Sequence, residues 1–271
     1  MVQLLKKAAL QSQAEVQAIH DYTMSDLGLN YIAFRVVDLN IGAIYTFDTF
    51  AQEVCLVAHT GKVSIKTEDA SYENIGRRIS AFDRIPTDSV YISKDHHIQV
   101  IANTKATVIL CFAPCSTQRP TVLIAAEENT IEDRGQYSNQ RHVHNILPDS
   151  HDASERLLVV EVYTNQGNWS SYPPHKHDQD NLPEESLLEE TYYHEMNPEQ
   201  GFVFQRVYTD DKTLDETMSV EHRDVVVVPK GYHPVGVPDG YDSYYLNVMA
   251  GPKKIWKFNN EKAHEWIINR D

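Results

Sequence analysis

Apolar residues in this chain recur in short runs separated by turn formers. From Tyr31 onward the runs return every 8–12 residues or so, the cadence of a β-sandwich or barrel. They are YIAFRVVDL (31–39), EVCLVAHTG (53–61), KVSIKT (62–67), SVYIS (89–93), IQVIA (98–102) and TVILCFA (107–113). The cadence resumes with RLLVVEVYT (156–164), GNWSSY (167–172), LEETYYHEM (188–196), FVFQRVY (202–208), DVVVVP (224–229) and DSYYLNVMA (242–250). NPEQG and PDGYD read as turns between such strands. No long helical pattern separates neighbouring strands, so antiparallel pairing is favoured over parallel units with helical crossovers.

Two other patterns set the organisation. Leu4, Leu5, Ala8, Ala9, Val16 and Ile19 fall at helical spacings and predict a helix over residues 2–20, within an N-terminal segment 1–27. Residues 126–155 are polar and rich in turn formers, and read as a connection, with RHVHNIL laid against one domain. This leaves two β halves of about 100 residues each, a first domain over 28–125 and a second over 156–271, as in a duplicated barrel. A short closing helix is expected over 259–268, with Trp256 and Trp266 as packing anchors.

Composition narrows the function classes. There are 24 Lys+Arg against 39 Asp+Glu, a net charge of −15, which argues against a nucleic-acid partner. An anionic small molecule remains compatible, because a pocket can be locally basic. Cys55, Cys111 and Cys115 are an odd set with no second pair to complete a zinc site, and read as reduced thiols. The N-terminal stretch holds no apolar targeting segment, and no run approaches the roughly 20 apolar residues of a membrane span. A cytoplasmic protein without a membrane partner is the expectation, and a homo-oligomer is compatible with it.

The densest chemical signal is NWSSYPPHKHDQDNLPEESLLEETYYHEM. His175 and His177 are two residues apart, so on a strand both imidazoles face one side and can reach one ion. Glu190 opens the next strand and can add an oxygen ligand. His233, in VVVVPKGYHPV, follows a buried strand and a Pro-Gly turn. Three imidazoles and a carboxylate suit Zn²⁺, Mn²⁺, Fe²⁺, Ni²⁺ or Co²⁺. An isolated HxH pair is often a surface feature, and a Glu-rich run is usually a solvated face. The order and strand placement of all four residues favour one divalent site. The first half has no HxH; His96 and His97 are adjacent and would face opposite ways, so that half is expected to be metal-free.

HxH, then Glu, then PxG followed by His resembles the paired motifs of the cupin superfamily. More narrowly, the chain resembles the 5-deoxy-glucuronate isomerase family of myo-inositol catabolism. The resemblance rests on RHVHNIL, NWSSYPPHKHD, LEETYYHEMNPEQGFVFQRVYTDD and VVVVPKGYHPVGVPDGYDSYYLNVMAGP, and more loosely on LNYIAFRVVDLNIGAIYTFDT, EVCLVAHTGKVSI and RRISAFDRIPTDSVYI. It implies an all-β bicupin: two tandem antiparallel jelly-roll barrels with minor helices. It also implies an aldose–ketose isomerase converting 5-deoxy-glucuronate to 5-dehydro-2-deoxy-gluconate, with the metal on His175, His177, Glu190 and His233. Departures are the long gap between His177 and Glu190 and a PKGYH motif one residue short.

Such an isomerisation needs a Lewis acid and, on an enediol route, a proton carrier. Glu190 and Tyr192 are the candidates for that carrier. The substrate's carboxylate needs a cation or amide donor, for which Arg206 or Gln205 is expected; as neighbours on one strand, only one of them faces inward. Arg206 in an otherwise apolar strand is the costlier placement, although an ion pair at an interface would explain it equally. The rival readings are the related 4-deoxy-5-hexosulose-uronate ketol-isomerase, a non-catalytic sugar-binding bicupin, and a cupin dioxygenase.

Overall fold

Alternation along the strands decides which faces become core. In Gln52–Thr60, Val54, Leu56 and Ala58 share one face; in Ala106–Pro114, Val108, Leu110 and Phe112 do the same. The two strands pair antiparallel, Leu110 opposite Leu56 and Phe112 opposite Val54, which stacks these side chains into one buried layer. In the computed structural model, which describes residues 3–9 and 12–270, this layer belongs to the first of two compact units. That unit comprises Ala8–Thr130 and Asn145–Val159. Its larger sheet orders the strands Val122–Ile124, Ser89–Ile92, Gln52–Thr60, Ala106–Pro114, Ala33–Leu39 and Val16–Tyr22. A second sheet orders Ile44–Asp48, His97–Ala102, Val63–Lys66 and Ser71–Ile75. Ile98, Val100, Val63 and Ile65 from that sheet complete an interior of hydrocarbon.

The second unit comprises the residues up to Lys7, Ile131–His144 and the chain from Val160 on. Its seven-stranded sheet runs Leu5–Lys6, Val225–Val228, Glu189–Asn197, Asp242–Ala250, Leu158–Thr164, Arg141–Leu147 and Thr130–Arg134. Its four-stranded sheet runs Trp169–Ser170, Val235–Gly236, Phe202–Tyr208 and Asp215–Glu221. These strands pair antiparallel, as in the expected all-β bicupin with two jelly-roll units. The interior face of this unit differs from the first: it carries Glu190, Tyr192, His177, His233 and Asn247, all buried.

Three expectations are corrected. The helix over residues 2–20 is absent from the described part of that span; Val2, Leu10 and Gln11 lie outside the described residues. Leu5–Lys6 pairs with Val225–Val226, and Val16–Tyr22 pairs with Ala33–Leu39 across a bulge. Apolar spacing there is equally compatible with burial on a strand, and the long-range partners win. The N-terminal helix reduces to Met24–Leu27, with Thr23 as N-cap and Gly28 in the left-handed conformation at the end. The 126–155 stretch is more than a connection, since it supplies two strands of the seven-stranded sheet. The closing helix is a 3-10 segment, Lys262–Ile267, in which Trp266 is exposed; Trp256 instead packs against Phe258 and under the Arg134 guanidinium. No helix among the described residues is long and apolar enough to cross a membrane. All three cysteines are buried thiols outside any disulfide.

Candidate active site

Three separate pieces of backbone bring ligand atoms to one point. Glu190 stands at the start of Glu189–Asn197, pairing with Val228 on one side and Met249 on the other. His177 follows the short strand His175–Lys176. His233 follows the turn at Gly231, whose φ is +90° and where a Cβ would meet the Tyr208 carbonyl oxygen at 2.4 Å. Only glycine fits there without displacing that backbone. Gly231 N–H donates to Asp178 Oδ2 at 2.9 Å, which ties the turn to the segment after His177.

The long gap between His177 and Glu190 is a hairpin, Asp178–Asn181 against Glu185–Leu187. It is not a solvated acidic face. Glu185 is buried and accepts from Lys176 Nζ at 3.1 Å, and Lys176 also pairs with Asp178 at 2.8 Å. Asn259 Nδ2 donates to the same Glu185 at 2.7 Å, and Asn260 is the strand partner of His175. The hairpin and the 259–260 strand thereby frame the histidine pair.

Second partners fix the imidazoles. His177 Nδ1 donates to the Leu188 carbonyl at 3.0 Å and His233 Nδ1 to the Gly231 carbonyl at 2.9 Å. Both rings then present the Nε2 lone pair, as metal-ligating histidines do. These nitrogens stand 3.2 and 3.1 Å from Glu190 Oε2. His177 Nε2, His233 Nε2 and Glu190 Oε2 are all buried with no hydrogen-bond partner. Three orphaned buried atoms cost several kcal/mol at about 1–3 each, and a cation among them resolves all three. The trio is a group of ligand atoms lying within 4.8 Å of one another. Glu190 Oε1 accepts from the Asn247 amide. Burial works against charge on Glu190; positive charge at His233 and His177 and the Asn247 amide outweigh it and hold the carboxyl at about 2, and a cation between neutral imidazoles would supply that charge instead.

His175 is half-buried and stands outside this trio, its ring 5.0 Å from that of His233 and 4.6 Å from Phe258. Burial, with His233 and His177, keeps its pKa well below the ordinary imidazole value, so it is neutral, as a ligand must be. Tyr192 is buried, its hydroxyl 3.0 Å from Ser171 Oγ. Burial, with the charge of Glu190, raises its pKa well above the ordinary phenol value. Tyr192, Glu190, Asn247, Tyr245 and His175 line a small cavity, and His175 also lines a larger one of about 410 Å³ together with Phe258. That size suits a small metabolite.

A family profile described as KduI/IolB matches residues 4–267. The 5-deoxy-glucuronate isomerase of Bacillus subtilis subsp. natto is 62% identical over 255 residues, covering 94% of each chain. The chain belongs to the KduI/IolB family. A solved IolB-like protein from Salmonella typhimurium superposes with a TM-score of 0.94 at 48% identity, covering 98% of this chain and 99% of that one. The oxalate decarboxylase of Lactobacillus farciminis gives 0.70 at 11% identity, covering 100% and 91%, and speaks for the cupin fold alone. By its relatives this KduI/IolB protein is an isomerase.

The two residues expected to hold a carboxylate are placed elsewhere. Gln205 faces inward but is spent: its Oε1 accepts from His194 Nε2 at 3.0 Å, and its amide donates to the His233 carbonyl at 3.5 Å. It lines neither cavity. Arg206 points outward, 42% exposed, in a two-pronged pair with Asp215 at 2.7 Å. Arg206→Leu is therefore expected to cost under about 1 kcal/mol of stability and to leave turnover within about 2-fold of wild type. A melting curve with a steady-state assay checks this, and a large kinetic defect would return Arg206 to the site. A residue that the sequence reading passed over lies in the site instead. Arg141, on the RHVHNIL strand, lines both cavities. The signal available was an arginine at the position alternating with Val143 on a strand.

Proposed function

We propose that this KduI/IolB protein interconverts 5-deoxy-glucuronate and 5-dehydro-2-deoxy-gluconate as a metal-dependent aldose–ketose isomerase. The observation that carries this reading is the convergence of His177 Nε2, His233 Nε2 and Glu190 Oε2, buried and unpartnered, in a chain whose relative at 62% identity is named 5-deoxy-glucuronate isomerase. His177, Glu190 and His233 would hold the ion, with His175 as the fourth ligand. Imidazole and carboxylate donors accept Zn²⁺, Mn²⁺, Fe²⁺, Ni²⁺ or Co²⁺. Such an ion acts as a Lewis acid on a carbonyl and its neighbouring hydroxyl.

The chain's own residues supply the rest. The Asn247 amide donates to Glu190 and orients its carboxylate. Tyr192 stays a phenol and, held by Ser171, is placed to keep a proton at a substrate oxygen. Glu190 and Tyr192 are the candidates for carrying the proton between carbons. Val143, Val160 and Val162 give the small cavity an apolar wall that limits water around the reacting carbons.

The test is ketose formation from 5-deoxy-glucuronate without oxygen, before and after chelation. Turnover that a chelator abolishes and a divalent ion restores is expected. No turnover by a metal-replete preparation overturns the proposal. Turnover of 4-deoxy-5-hexosulose-uronate alone moves the protein to the related ketol-isomerase activity.

A further inference from the structure

The lining shared by the candidate metal site and the larger cavity contains Arg141, a cation with no carboxylate partner among the described residues. Arg141 lies on Arg141–Leu147 and shares its inward face with Val143; both line the small cavity with Glu190, Tyr192 and Asn247. It also lines the 410 Å³ cavity beside His175, so it stands where the two spaces meet. Its Nη1 donates to the Asn139 carbonyl at 2.9 Å and to the Tyr172 carbonyl at 3.5 Å. Gly135 makes room for this: a Cβ there would sit 1.9 Å from Asn139 O and 2.7 Å from Arg141 Nη1. The guanidinium is thus pinned by backbone on one edge. Nε and Nη2, the other edge of the fork, have no protein acceptor among the described residues.

Among the described residues no carboxylate pairs with Arg141. The neighbouring cation, Arg134, has its own partner in Glu132 at 2.9 Å and lends no balance. Burial pulls the Arg141 pKa down, and Arg134 adds to that. An arginine kept in so unfavourable a place needs an anion from outside. A guanidinium edge with two parallel N–H donors matches a carboxylate in two-pronged geometry.

We propose that Arg141 binds the substrate's carboxylate, with the reacting carbons directed at His177, Glu190 and His233. The assignment rests on the uronate reading above. It places the acid end of the substrate at the junction of the two cavities, both of which His175 also lines.

The test is equilibrium binding of 5-deoxy-glucuronate reduced at its aldehyde carbon, which cannot isomerise, and of the carboxamide of that compound. Wild type, Arg141→Gln and Arg141→Lys are compared by calorimetry on metal-loaded protein of equal metal content. Arg141→Gln is expected to lose on the order of 100-fold in affinity for the acid and to change little toward the amide. Arg141→Lys keeps the charge without the fork and is expected to fall between. It also serves if the glutamine variant folds poorly. Equal losses on acid and amide, or wild-type affinity for the acid in both variants, overturn the proposal. Failure of the reaction reading looks different. Wild type would then bind the acid in an Arg141-dependent way yet produce no ketose. Normal turnover of the uronate by Arg141→Gln sinks the carboxylate assignment and leaves the isomerase standing.

Discussion

His177→Ala is expected to lose most of its bound divalent ion, and with it more than about 100-fold in isomerase turnover, since loss of even an outer-shell partner of a metal ligand reaches that scale. The argument is geometric. His177 Nε2 is one of three buried atoms that face each other with no hydrogen bond, 3.2 Å from the shared Glu190 oxygen. Its other nitrogen is already committed to the Leu188 carbonyl, so the ring is held with its lone pair toward the centre. Alanine leaves Glu190 beside His233 and still held by the Asn247 amide, which keeps the carboxylate in place. The fold is therefore expected to survive, and a circular-dichroism spectrum like that of wild type distinguishes loss of metal from loss of structure. Elemental analysis of both proteins is the deciding measurement. Equal metal content in the two would remove His177 from the ligand set.

Much of this site was legible from sequence, and the reasons differ residue by residue. Glu190, His177 and His233 stand out as candidates because strand periodicity and a glycine turn constrain where such side chains go, and the structure brings their ligand atoms together. The i, i+2 rule that grouped His175 with His177 assumes a regular strand, yet the strand there is only His175–Lys176, and its end leaves His175 outside the trio. Arg206 looked costly in an apolar strand, but the outer face of Phe202–Tyr208 is wet: Phe204 is 49% exposed beside it. An arginine there desolvates little, and its partner is the partly exposed Asp215 rather than a ligand. Arg141 went unnoticed for the opposite reason. Its polar neighbours Tyr137–Gln140 resemble a linker, and only strand pairing across the sheet shows which side of the chain is buried. The N-terminal residues failed similarly, since Val16–Tyr22 is a strand by virtue of Ala33–Leu39 rather than of its own pattern.

Glu53→Ala is expected to destabilise the first unit by about 3–5 kcal/mol, the scale at which a buried charge network is broken. Glu53 is fully buried, and its two oxygens gather four donors. Oε1 accepts from the amides of Arg156 and Leu157 at 2.7 and 2.9 Å. Oε2 accepts from the Glu155 amide at 2.6 Å and from the Tyr91 hydroxyl at 2.9 Å. Three consecutive backbone N–H groups thus close on one carboxylate, as around a bound anion. Alanine strands all three in a site closed to water, at about 1–3 kcal/mol for each that finds no new partner. Glutamine is the sharper probe. It keeps one acceptor oxygen but turns an NH₂ group toward either the Glu155 amide or the pair from Arg156 and Leu157. The Tyr91 hydroxyl can rotate to accept; a backbone N–H cannot. Glu53→Gln is therefore expected to cost about half as much as alanine, on the order of 2 kcal/mol. The melting temperature of the alanine variant should fall on the order of 10 °C, with faster amide exchange concentrated in residues 52–60 and 155–157. A loss under about 1 kcal/mol for alanine, or a glutamine variant as stable as wild type, would show that these donors find other partners and that Glu53 is not the clasp of the first unit.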